Sequence, residues 1–422
     1  MAKALLVSTI SKGQKNNTVE LLEELERLAD TSGIKTIGSV VQKIEKPNPK
    51  FFIGEGKVFE IKKICEEKFI DAVIFDNELT ATQQRNLEKH INLRIIDRTR
   101  LILNIFAQRA RTKVAKLQVE LAEKQYELPR LSGKSTSLAQ QRGVIGIRAG
   151  FGERKIEVDR RKIKDRISEL KKEIEKIKFH REIERSKRQD VPLQIVSLVG
   201  YTNAGKSTFL NYLTGKKSVY ADDKLFATLD PTTRKIKLPG GKFVLFTDTV
   251  GFIKKLPHQL IAAFKSTLEE ITKSDLIIHL IDISDKNYKD NEKTVMDVLK
   301  EIGADKLTII NAYNKCDLLK SKPYRAENNF YLSAKTGTGV QELLSAISVK
   351  FESKLKYKKI SIPYNLFFLI SKIKSAGKII RYNLQKNDPN GHTELEILID
   401  DKNWGQIQKL MSETNEKPYA SQ

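Results

Sequence analysis

The eight residues GYTNAGKS, from Gly200 to Ser207, constrain the fold of this chain more than any other stretch. They follow LQIVSLVG, an apolar run typical of a buried strand, and they precede TFLNYLTG, which is compatible with a helix. Between a strand and a helix, this pattern indicates a loop whose glycines let backbone amides turn inward around phosphates. The sequence therefore predicts an α/β domain that binds a nucleotide at the carboxyl end of its sheet.

Three later segments follow predicted strands in the order that a guanine nucleotide site requires. Asp248 to Gly251 (DTVG) supplies an aspartate near Mg²⁺ and a glycine amide that can meet the γ-phosphate. Asn314 to Asp317 (NKCD) supplies a carboxylate that can accept two hydrogen bonds from guanine, which adenine cannot offer. Ser333 to Lys335 (SAK) lies where a backbone amide can contact guanine O6. The set predicts a GTPase.

Within this site we expect Lys206 to reach the β- and γ-phosphate oxygens and the Ser207 hydroxyl to ligate Mg²⁺. A switch segment with a second Mg²⁺-ligating hydroxyl is expected in FATLDPTTR, between the phosphate loop and Asp248. Its three threonines, Thr228, Thr232 and Thr233, are all candidates, and spacing alone does not choose among them.

The chain has 422 residues, a length that predicts several domains, and the pattern of strands and helices outside the nucleotide site indicates that they are α/β domains. Strand-like runs KALLVSTI, KTIGSVVQKI and DAVIFDN indicate an α/β domain over 1–97. We expect a helical hairpin over 98–190, the GTPase domain with a mostly parallel sheet over 191–352, and a small α/β domain over 353–422. The last domain contains the predicted strand TELEILI and the predicted helix NWGQIQKLM.

Apolar residues at steps of three and four predict the hairpin, an antiparallel coiled coil whose first helix runs unbroken from Arg98 to about Leu128. The residues of that pattern are Leu103, Phe106, Ala110, Val114, Leu117 and Leu121, then Ile156, Ile163, Ile167, Leu170, Ile174 and Ile177. A loop over 129–155 joins the two helices, so its glycines and arginines are expected at the tip of an arm.

The net charge of +23 favours an anionic partner, with nucleic acid ahead of a membrane surface. Cys65 and Cys316 share no metal-type spacing and do not suggest a disulfide framework, and the five histidines are scattered. The chain shows no signal peptide pattern and no apolar run of membrane-spanning length, so we expect a cytoplasmic protein without integral membrane association.

The sequence resembles the HflX family of bacterial, large-subunit-associated GTPases over nearly its whole length. The resemblance is carried by FFIGEGKVFEI, DNELTATQQRNLE, IDRTRLILNIFAQRARTKVAKLQVELA, EVDRR, GYTNAGKSTFLN, LFATLDPTTR, DTVGFI and NKCD. It implies an N-terminal HflX-type domain, a helical hairpin, a Ras-like GTPase domain and a C-terminal domain. It also implies GTP/GDP and Mg²⁺ as cofactors, and rescue or splitting of stalled ribosomes as the role.

The resemblance implies that Thr228 is the switch threonine and that Ser207 and Thr228 hold Mg²⁺. It also implies that the catalytic residues are Lys206, Thr228, Asp248 and Gly251. Phe252 stands where Ras-like enzymes have the glutamine that orients water, which implies slow hydrolysis stimulated by ribosomes. The expected nucleotide-binding residues are Gly200, Tyr201, Thr202, Asn203, Ala204, Gly205, Lys206, Ser207, Thr208, Phe226, Ala227, Thr228, Leu229, Asp230, Asp248, Thr249, Val250, Gly251, Asn314, Lys315, Cys316, Asp317, Ser333, Ala334 and Lys335.

The glycines of the arm tip permit close backbone approach to RNA and its arginines can meet phosphates or bases, although a plain flexible connector remains the alternative. The resemblance implies that the target is the peptidyl-transferase region of the large subunit and its rRNA. The candidate contacts are Arg142, Gly143, Gly146, Arg148, Gly150, Phe151, Gly152 and Arg154. The family's arm loop usually reads Arg-Gly-Pro-Gly-Glu, whereas here Ala-Gly-Phe-Gly-Glu follows Arg148 and puts Phe151 in the proline position.

Two other hypotheses remain open from the sequence. The chain could be an RNA-binding ribosome assembly protein that uses GTP as a structural ligand. The N-terminal domain could also bind ATP through Gly54, Glu55, Gly56 and Lys57, although a lone Gly-x-Gly turn is more often structural. We expect a monomer without a DNA partner.

Overall fold

The computed structural model describes residues 2–11, 18–133, 149–187, 193–215, 225–255, 257, 260, 264, 268, 270–319, 329–384 and 391–415. The chain forms two compact units. The first contains Met1–Lys178, Ala221–Asp230 and Val250–Leu268, and the second contains Phe179–Tyr220, Pro231–Thr249 and Glu269–Gln422. Within these described ranges, no helix is both long enough and apolar enough to cross a membrane.

The first unit begins with a parallel four-stranded sheet of order β2-β1-β3-β4. Its strands are β1 (Lys3–Ser11), β2 (Lys35–Ile44), β3 (Ala72–Phe75) and β4 (Arg94–Asp97), and its helices are α1 (Thr18–Thr31), α2 (Glu55–Glu67) and α3 (Ala81–Ile91). The three predicted strands are confirmed. The fourth, RIID, is not among the predictions because four residues are too few to show a period. Strand β3 is buried along its whole length, as expected for a parallel sheet with both faces covered.

The prediction of one unbroken helix from Arg98 to about Leu128 is wrong. The structure has α4 (Arg98–Arg109) and α5 (Lys113–Glu127), with Ala110 in an extended conformation between them. The Thr112 hydroxyl accepts a hydrogen bond from the Ala115 amide at 3.2 Å and thereby starts a new helix. The apolar spacing continues across the break because residues on both sides of it are buried, so periodicity alone does not reveal the interruption.

The hairpin consists of α5 and α6 (Ala149–Lys187), whereas helix α4 packs against both α5 and α1. Leu117 and Leu121 of α5 form one apolar cluster with Leu170 and Ile174 of α6. Arg166 of α6 donates two hydrogen bonds to the Glu120 carboxylate of α5, at 2.8 and 3.1 Å. The coiled-coil pattern is therefore confirmed for the part of the hairpin that α5 and α6 form.

The structure shows helical backbone at both ends of the predicted arm-tip loop over 129–155. A 3-10 helix occupies Leu128–Gly133, and α6 already begins at Ala149. Four candidate RNA contacts therefore have helical backbone rather than a loop conformation: Gly150, Phe151, Gly152 and Arg154. Glycine disfavours a helix by about 1 kcal/mol per residue, and the strong helix formers that follow extend α6 across the two glycines. The other four, Arg142, Gly143, Gly146 and Arg148, lie outside the described residues.

The second unit contains a six-stranded sheet of order β10-β9-β8-β5-β7-β6, whose strands are parallel except for the antiparallel pair β6 and β7. The strands are β5 (Ile195–Gly200), β6 (Thr232–Lys237), β7 (Phe243–Asp248), β8 (Leu276–Asp282), β9 (Ile309–Asn314) and β10 (Asn329–Tyr331). The helices are α7 (Lys206–Thr214), α8 (Tyr288–Glu301) and α9 (Val340–Glu352). The strands predicted before the phosphate loop and before the three later segments are present as β5, β7, β9 and β10.

Two of the three threonine candidates of the switch segment, Thr232 and Thr233, lie in strand β6. Thr232 and Thr233 pair with Asp248 and Thr247 of β7, and the Thr233 and Thr247 hydroxyls lie 2.9 Å apart. Since a switch residue has to move with the nucleotide state, residues fixed in a strand are poor candidates. Spacing alone left this choice open.

The C-terminal part of the second unit is an antiparallel sheet of order β11-β13-β12 that packs against two helices. The elements are β11 (Lys356–Pro363), α10 (Phe368–Ala376), β12 (Lys378–Leu384), β13 (His392–Ile399) and α11 (Asp401–Asn415). The predicted strand TELEILI and helix NWGQIQKLM correspond to β13 and α11. The buried residues Ile397, Ile373 and Ile407 join sheet and helices in one core.

Candidate nucleotide site and switch segments

The phosphate loop connects β5 to α7 at the carboxyl end of the sheet. Asn203 and Gly205 both have positive φ, of 61° and 92°. A Cβ atom on Gly205 would lie 2.3 Å from the Asn314 Nδ2 atom, and one on Gly200 would lie 2.3 Å from the Leu280 carbonyl oxygen. Both glycines are therefore required by close contacts as well as by the turn.

Lys206 is buried at the start of α7. Its Nζ atom donates to the carbonyl oxygens of Gly200, at 3.0 Å, and Tyr201, at 2.9 Å. Burial lowers the Lys206 pKa to about 8, although the negative charge of Asp248 acts to raise it. A buried ammonium group of this kind gains much from a phosphate, because the anion replaces the hydration that burial has removed.

Ser207 and Asp248 lie together at the point where Mg²⁺ is expected. The Ser207 Oγ atom donates to Asp248 Oδ2 at 2.7 Å, and Asp248 is fully buried at the end of β7. A hydroxyl and a carboxylate are hard oxygen ligands of the type Mg²⁺ prefers, so the two side chains fit this ion. The next residue, Thr249, donates from Oγ1 to the Leu198 carbonyl oxygen at 2.6 Å, which ties β7 to β5.

Asn314 joins three segments of the site. Its Nδ2 atom donates to the Ala204 carbonyl oxygen of the phosphate loop at 2.8 Å, and its Oδ1 atom accepts from the Ala334 amide at 2.8 Å. Ser333 is buried beside it, and its Oγ atom accepts from the Thr336 amide at 3.2 Å. The side chain of Asn314 therefore fixes the predicted guanine-binding segments against the phosphate loop.

The remaining residues of the predicted guanine pocket follow β9 directly. Lys315 has a positive φ of 64° and forms an ion pair with Asp282 at 2.6 Å. The Cys316 amide donates to the Leu332 carbonyl oxygen at 3.2 Å, while Asp317 is exposed, as its predicted contact with a guanine base requires. Asp282 is not among the predicted site residues. Its position at the carboxyl end of β8 is the signal that could have identified it.

His279 is a second residue that sequence reasoning missed. It is buried on β8 beside Val199, and its Nδ1 atom has no hydrogen-bond partner among the described residues. Burial lowers the pKa of its imidazole to about 4, and the nearby charge of Lys206 acts in the same direction. The signal in the sequence is a single polar residue inside the apolar run DLIIHLIDIS.

The first part of the predicted switch segment, up to Asp230, belongs to the first unit. Phe226 is buried with a positive φ of 55°, an unusual backbone conformation for a bulky residue. Its ring packs edge to face on Phe106 of α4, at 4.7 Å between centroids, and Phe106 packs in the same way on Phe264 at 5.1 Å. The Leu225 amide donates to the Thr31 hydroxyl of α1 at 3.3 Å. Contacts with α1 and α4 thus hold the strained conformation.

Asp230, at the end of the same segment, lies at the start of α5. One of its carboxylate oxygens accepts from the amides of Arg111 and Thr112, both at 3.1 Å, and the other accepts from the Thr112 hydroxyl. These amides belong to the break between α4 and α5. The arm helix therefore begins at a residue that is bonded to the switch segment.

The segment after Asp-Thr-Val-Gly is bonded to the N-terminal sheet. Arg98 donates to the Lys254 carbonyl oxygen at 2.8 Å, and the ammonium group of Lys255 pairs with the buried Asp76. Phe252, the residue in the glutamine position, is buried. Both segments expected to respond to nucleotide thus contact the N-terminal domain and α4.

The structure brings together most, but not all, of the predicted nucleotide-binding residues. The phosphate loop, Asp248, Asn314 and the Ser333 segment meet at one edge of the sheet in the second unit. Thr228, half-buried between Phe226 and Leu229, lies in the first unit with Gly251. Both remain predicted members of the site.

Three family models match consecutive parts of the chain. They are described as GTP-binding GTPase N-terminal, over residues 19–107, GTP-binding GTPase Middle Region, over 109–188, and 50S ribosome-binding GTPase, over 195–315. Together they extend from α1 to the end of the strand that carries Asn314.

Curated relatives match over most of their lengths. The GTPase HflX of Caldanaerobacter subterraneus is 46% identical over 90% of this chain and 87% of its own. That of Escherichia coli is 40% identical over 83% of this chain and 83% of its own. A solved GTP-binding protein from Sulfolobus solfataricus, in complex with GDP, is 26% identical over 83% of this chain and 98% of its own, with a TM-score of 0.44. This chain belongs to the HflX family of GTPases.

Proposed function

We propose that this GTPase binds the large ribosomal subunit in its GTP state, uses its arm to split or rescue stalled ribosomes, and leaves after hydrolysis. The match to the model described as 50S ribosome-binding GTPase supports the partner. The net charge of +23 suits a partner made largely of RNA.

The single observation that carries the proposal is the bonding of Asp230 to the start of the arm. The Asp230 carboxylate accepts hydrogen bonds from the amides of Arg111 and Thr112. Asp230 itself lies only two residues after Thr228 in the chain. A γ-phosphate that repositions Thr228 would therefore move or release the residue that holds the first turn of α5. A change of nucleotide from GTP to GDP would therefore change the position of the arm helix through these hydrogen bonds.

The chemistry follows from the residues at the phosphate loop. The ammonium group of Lys206 would meet the β- and γ-phosphate oxygens, and backbone amides from Gly200 to Ser207 would surround the phosphates. Ser207 and Thr228 would hold Mg²⁺, which neutralises charge on the leaving phosphates when bound. Asp248 would orient this set through its 2.7 Å bond with Ser207.

Hydrolysis by the protein alone should be slow. Phe252 is buried and has no group that could orient an attacking water, whereas a glutamine in this position does so in Ras-like enzymes. We propose that docking to the large subunit orders the segment around Phe252 and so stimulates turnover.

Contact with RNA is assigned to the arm tip. Residues 129–155 contain six basic residues and five glycines against the single acid Glu153. The part of this segment between the 3-10 helix Leu128–Gly133 and the start of α6 at Ala149 connects the two sides of the hairpin, where it could collide with tRNA bound to the large subunit. The same charge composition would serve an RNA-binding assembly protein, so activity on whole ribosomes has to be measured directly.

Cosedimentation with whole ribosomes and with separated subunits, in GDP and in a non-hydrolysable GTP analogue, tests the proposal. We expect binding to large subunits with the analogue, little binding with GDP, and free subunits released from whole ribosomes. GTP turnover should rise when large subunits are added. Equal turnover with and without them would contradict the stimulated mechanism.

The Lys206→Ala variant distinguishes the enzyme from an assembly protein with a structural nucleotide. If the proposal is right, this variant loses GTP-dependent docking and splitting together. A variant that still splits ribosomes at normal rates would instead support the assembly hypothesis.

A further inference from the structure

Three exposed aromatic side chains form a cluster on the C-terminal domain, at the end of β11 and the start of α10. Tyr364, Phe367 and Phe368 are 40, 39 and 46% exposed. The rings of Tyr364 and Phe367 lie 5.0 Å apart between centroids, and the Lys372 ammonium group lies 5.5 Å from the centre of the Phe368 ring. We call Tyr364, Phe367, Phe368 and Lys372 the aromatic cluster.

The aromatic cluster is not part of the domain core. The apolar residues that alternate with it, Leu366, Leu369 and Ile373, are buried and face the sheet. The Tyr364 amide donates to the Gly391 carbonyl oxygen at 2.7 Å, and a Cβ atom on Gly391 would come within 2.9 Å of the Tyr364 ring. These contacts hold Tyr364 in place, while the three rings stay partly exposed, and adjoining exposed aromatic side chains make this surface a candidate interaction site.

The chain around the aromatic cluster is uniformly basic. Between residues 356 and 384 there is no aspartate or glutamate. The basic residues that follow the rings in this stretch are Lys372, Lys374, Lys378 and Arg381, whereas Lys356, Lys358 and Lys359 lie toward the opposite end of β11. Lys374 and Lys378 are exposed on α10 and at the start of β12, close in sequence to the rings. A ligand that reaches the rings thus meets positive charge contributed by this stretch.

We infer that the aromatic cluster binds unpaired RNA, with bases stacked on the rings of Phe367 and Phe368 and phosphates held by lysines of α10. Flat exposed rings beside flexible ammonium groups are the combination that binds single strands without sequence preference. Neither the nucleotide site nor the arm tip includes these residues, so this is a second RNA contact, beyond the proposed function.

The open face of the same sheet does not offer this combination. Its central strand, β13, presents Glu394 and Glu396, which pair in register with Ser361 and Lys359 of β11. Carboxylates in the middle of a surface repel a phosphate backbone, and Lys359 already pairs with Glu396 at 3.5 Å. The charge distribution therefore places the RNA at the aromatic cluster.

The test uses the full-length protein and a fluorescein-labelled oligouridine of about twelve nucleotides, a length that spans one single-strand site. In the double variant Phe367→Leu/Phe368→Leu the surface stays apolar but loses its rings. Affinity for the oligonucleotide should fall about tenfold or more, since stacking contributes substantially for each base. The variant Phe367→Tyr/Phe368→Tyr should bind like the parent protein.

Two controls separate the cluster from other contacts. Tyr357, an equally exposed aromatic residue at the opposite end of β11, is replaced by leucine and should leave affinity unchanged. All variants are also measured with residues 143–152 replaced by a neutral turn, so that the arm tip cannot mask the effect. The thermal midpoint of each variant is compared with that of its parent.

Unchanged affinity in the double leucine variant would overturn the inference, as would an equal loss for Tyr357→Leu. If the rings instead fill a pocket of a protein partner, leucine should be tolerated and the oligonucleotide should bind equally well to all variants, which also overturns it. Failure of ribosome splitting would leave this result unaffected, because the oligonucleotide is measured without ribosomes.

Discussion

Arg98 and Asp76 form a buried ion pair in the first unit, with Arg98 Nη1 and Asp76 Oδ1 2.7 Å apart. The Arg98 guanidinium also contacts Glu24 and donates to the Lys254 carbonyl oxygen. Arg98 is the first residue of α4, whereas Lys254 follows the DTVG segment by only a few residues. One side chain therefore joins α1, the N-terminal sheet and a segment expected to respond to nucleotide.

Replacing Arg98 with methionine should destabilise the first unit strongly. Asp76 is fully buried, and Lys255 is the one ionic partner it would keep among the described residues, so removing Arg98 should lower the free energy of unfolding by about 3 to 5 kcal/mol. Urea titration measures the effect. Lys57→Met is the control, because its pair with Glu60 lies on the surface of α2 and contributes less than about 1 kcal/mol. If Arg98→Met and Lys57→Met lost the same free energy of unfolding, the buried ion pairs of Arg98 would contribute no more than a surface pair.

Thr112→Val should weaken the dependence of ribosome binding on nucleotide. The substitution removes the hydroxyl that donates to Asp230 and accepts from Ala115, and loss of the cap costs about 1 kcal/mol of stability. We expect the ratio of binding in the GTP analogue to binding in GDP to fall towards one, while GTP affinity is retained.

The matched control for Thr112→Val is Thr80→Val. Thr80 caps α3 by accepting from the Gln83 amide at 3.3 Å, far in sequence from any switch residue. Both variants lose a cap, but only Thr112→Val should change the ratio. A change in both, or in neither, would count against coupling through Asp230.

Gly205→Ala should strongly weaken the binding of GTP. The residue has φ of 92°, and the added methyl group would lie 2.3 Å from Asn314 Nδ2. Either the phosphate loop or Asn314 has to move, so we expect GTP affinity to fall about a hundredfold or more, which calorimetric titration can measure.

Gly56→Ala provides the comparison for Gly205→Ala. Among the described residues, no atom lies within 4 Å of the position that a Cβ atom on Gly56 would occupy, so the substitution should leave both folding and GTP binding unchanged. Binding of labelled ATP to the fragment from Met1 to Asp190, measured beside these titrations, would support the N-terminal ATP hypothesis.

The stability of the protein should fall as the pH decreases from about 6.5 to about 4, partly because of His279. Its pKa is lowered to about 4 in the fold, from 6.5 as the ordinary value, so in this window the unfolded chain takes up a proton that the folded protein does not. Full stability is present above pH 6.5, and the loss is on the order of 3 kcal/mol at most. Urea titrations at several pH values measure it.

His279→Gln should flatten that pH dependence, whatever its effect on stability at neutral pH. His90→Gln is the control, since His90 lies exposed on α3, where its Nδ1 atom donates a hydrogen bond to the Asn86 carbonyl oxygen. An identical slope in the wild type and in His279→Gln would show that other groups cause the acid sensitivity.

The sequence by itself determined the nucleotide chemistry and the order of the strands that carry it. A phosphate loop needs Gly205 and Lys206 next to each other, and long apolar runs identify parallel strands buried on both faces. These are local requirements that a single segment reveals. The family also follows from local motifs, since each is short and their order along the chain is fixed.

Only the tertiary structure decided how distant segments meet. The break before Thr112 depends on capping by its hydroxyl and on the Asp230 carboxylate, more than a hundred residues away in sequence. The roles of Asn314 and His279 arise from neighbours on other strands, and the assignment of Thr233 to a strand depends on its pairing with Thr247. Periodicity reports which residues are buried. It does not report which residues bury them, because contacts between distant segments leave no local pattern.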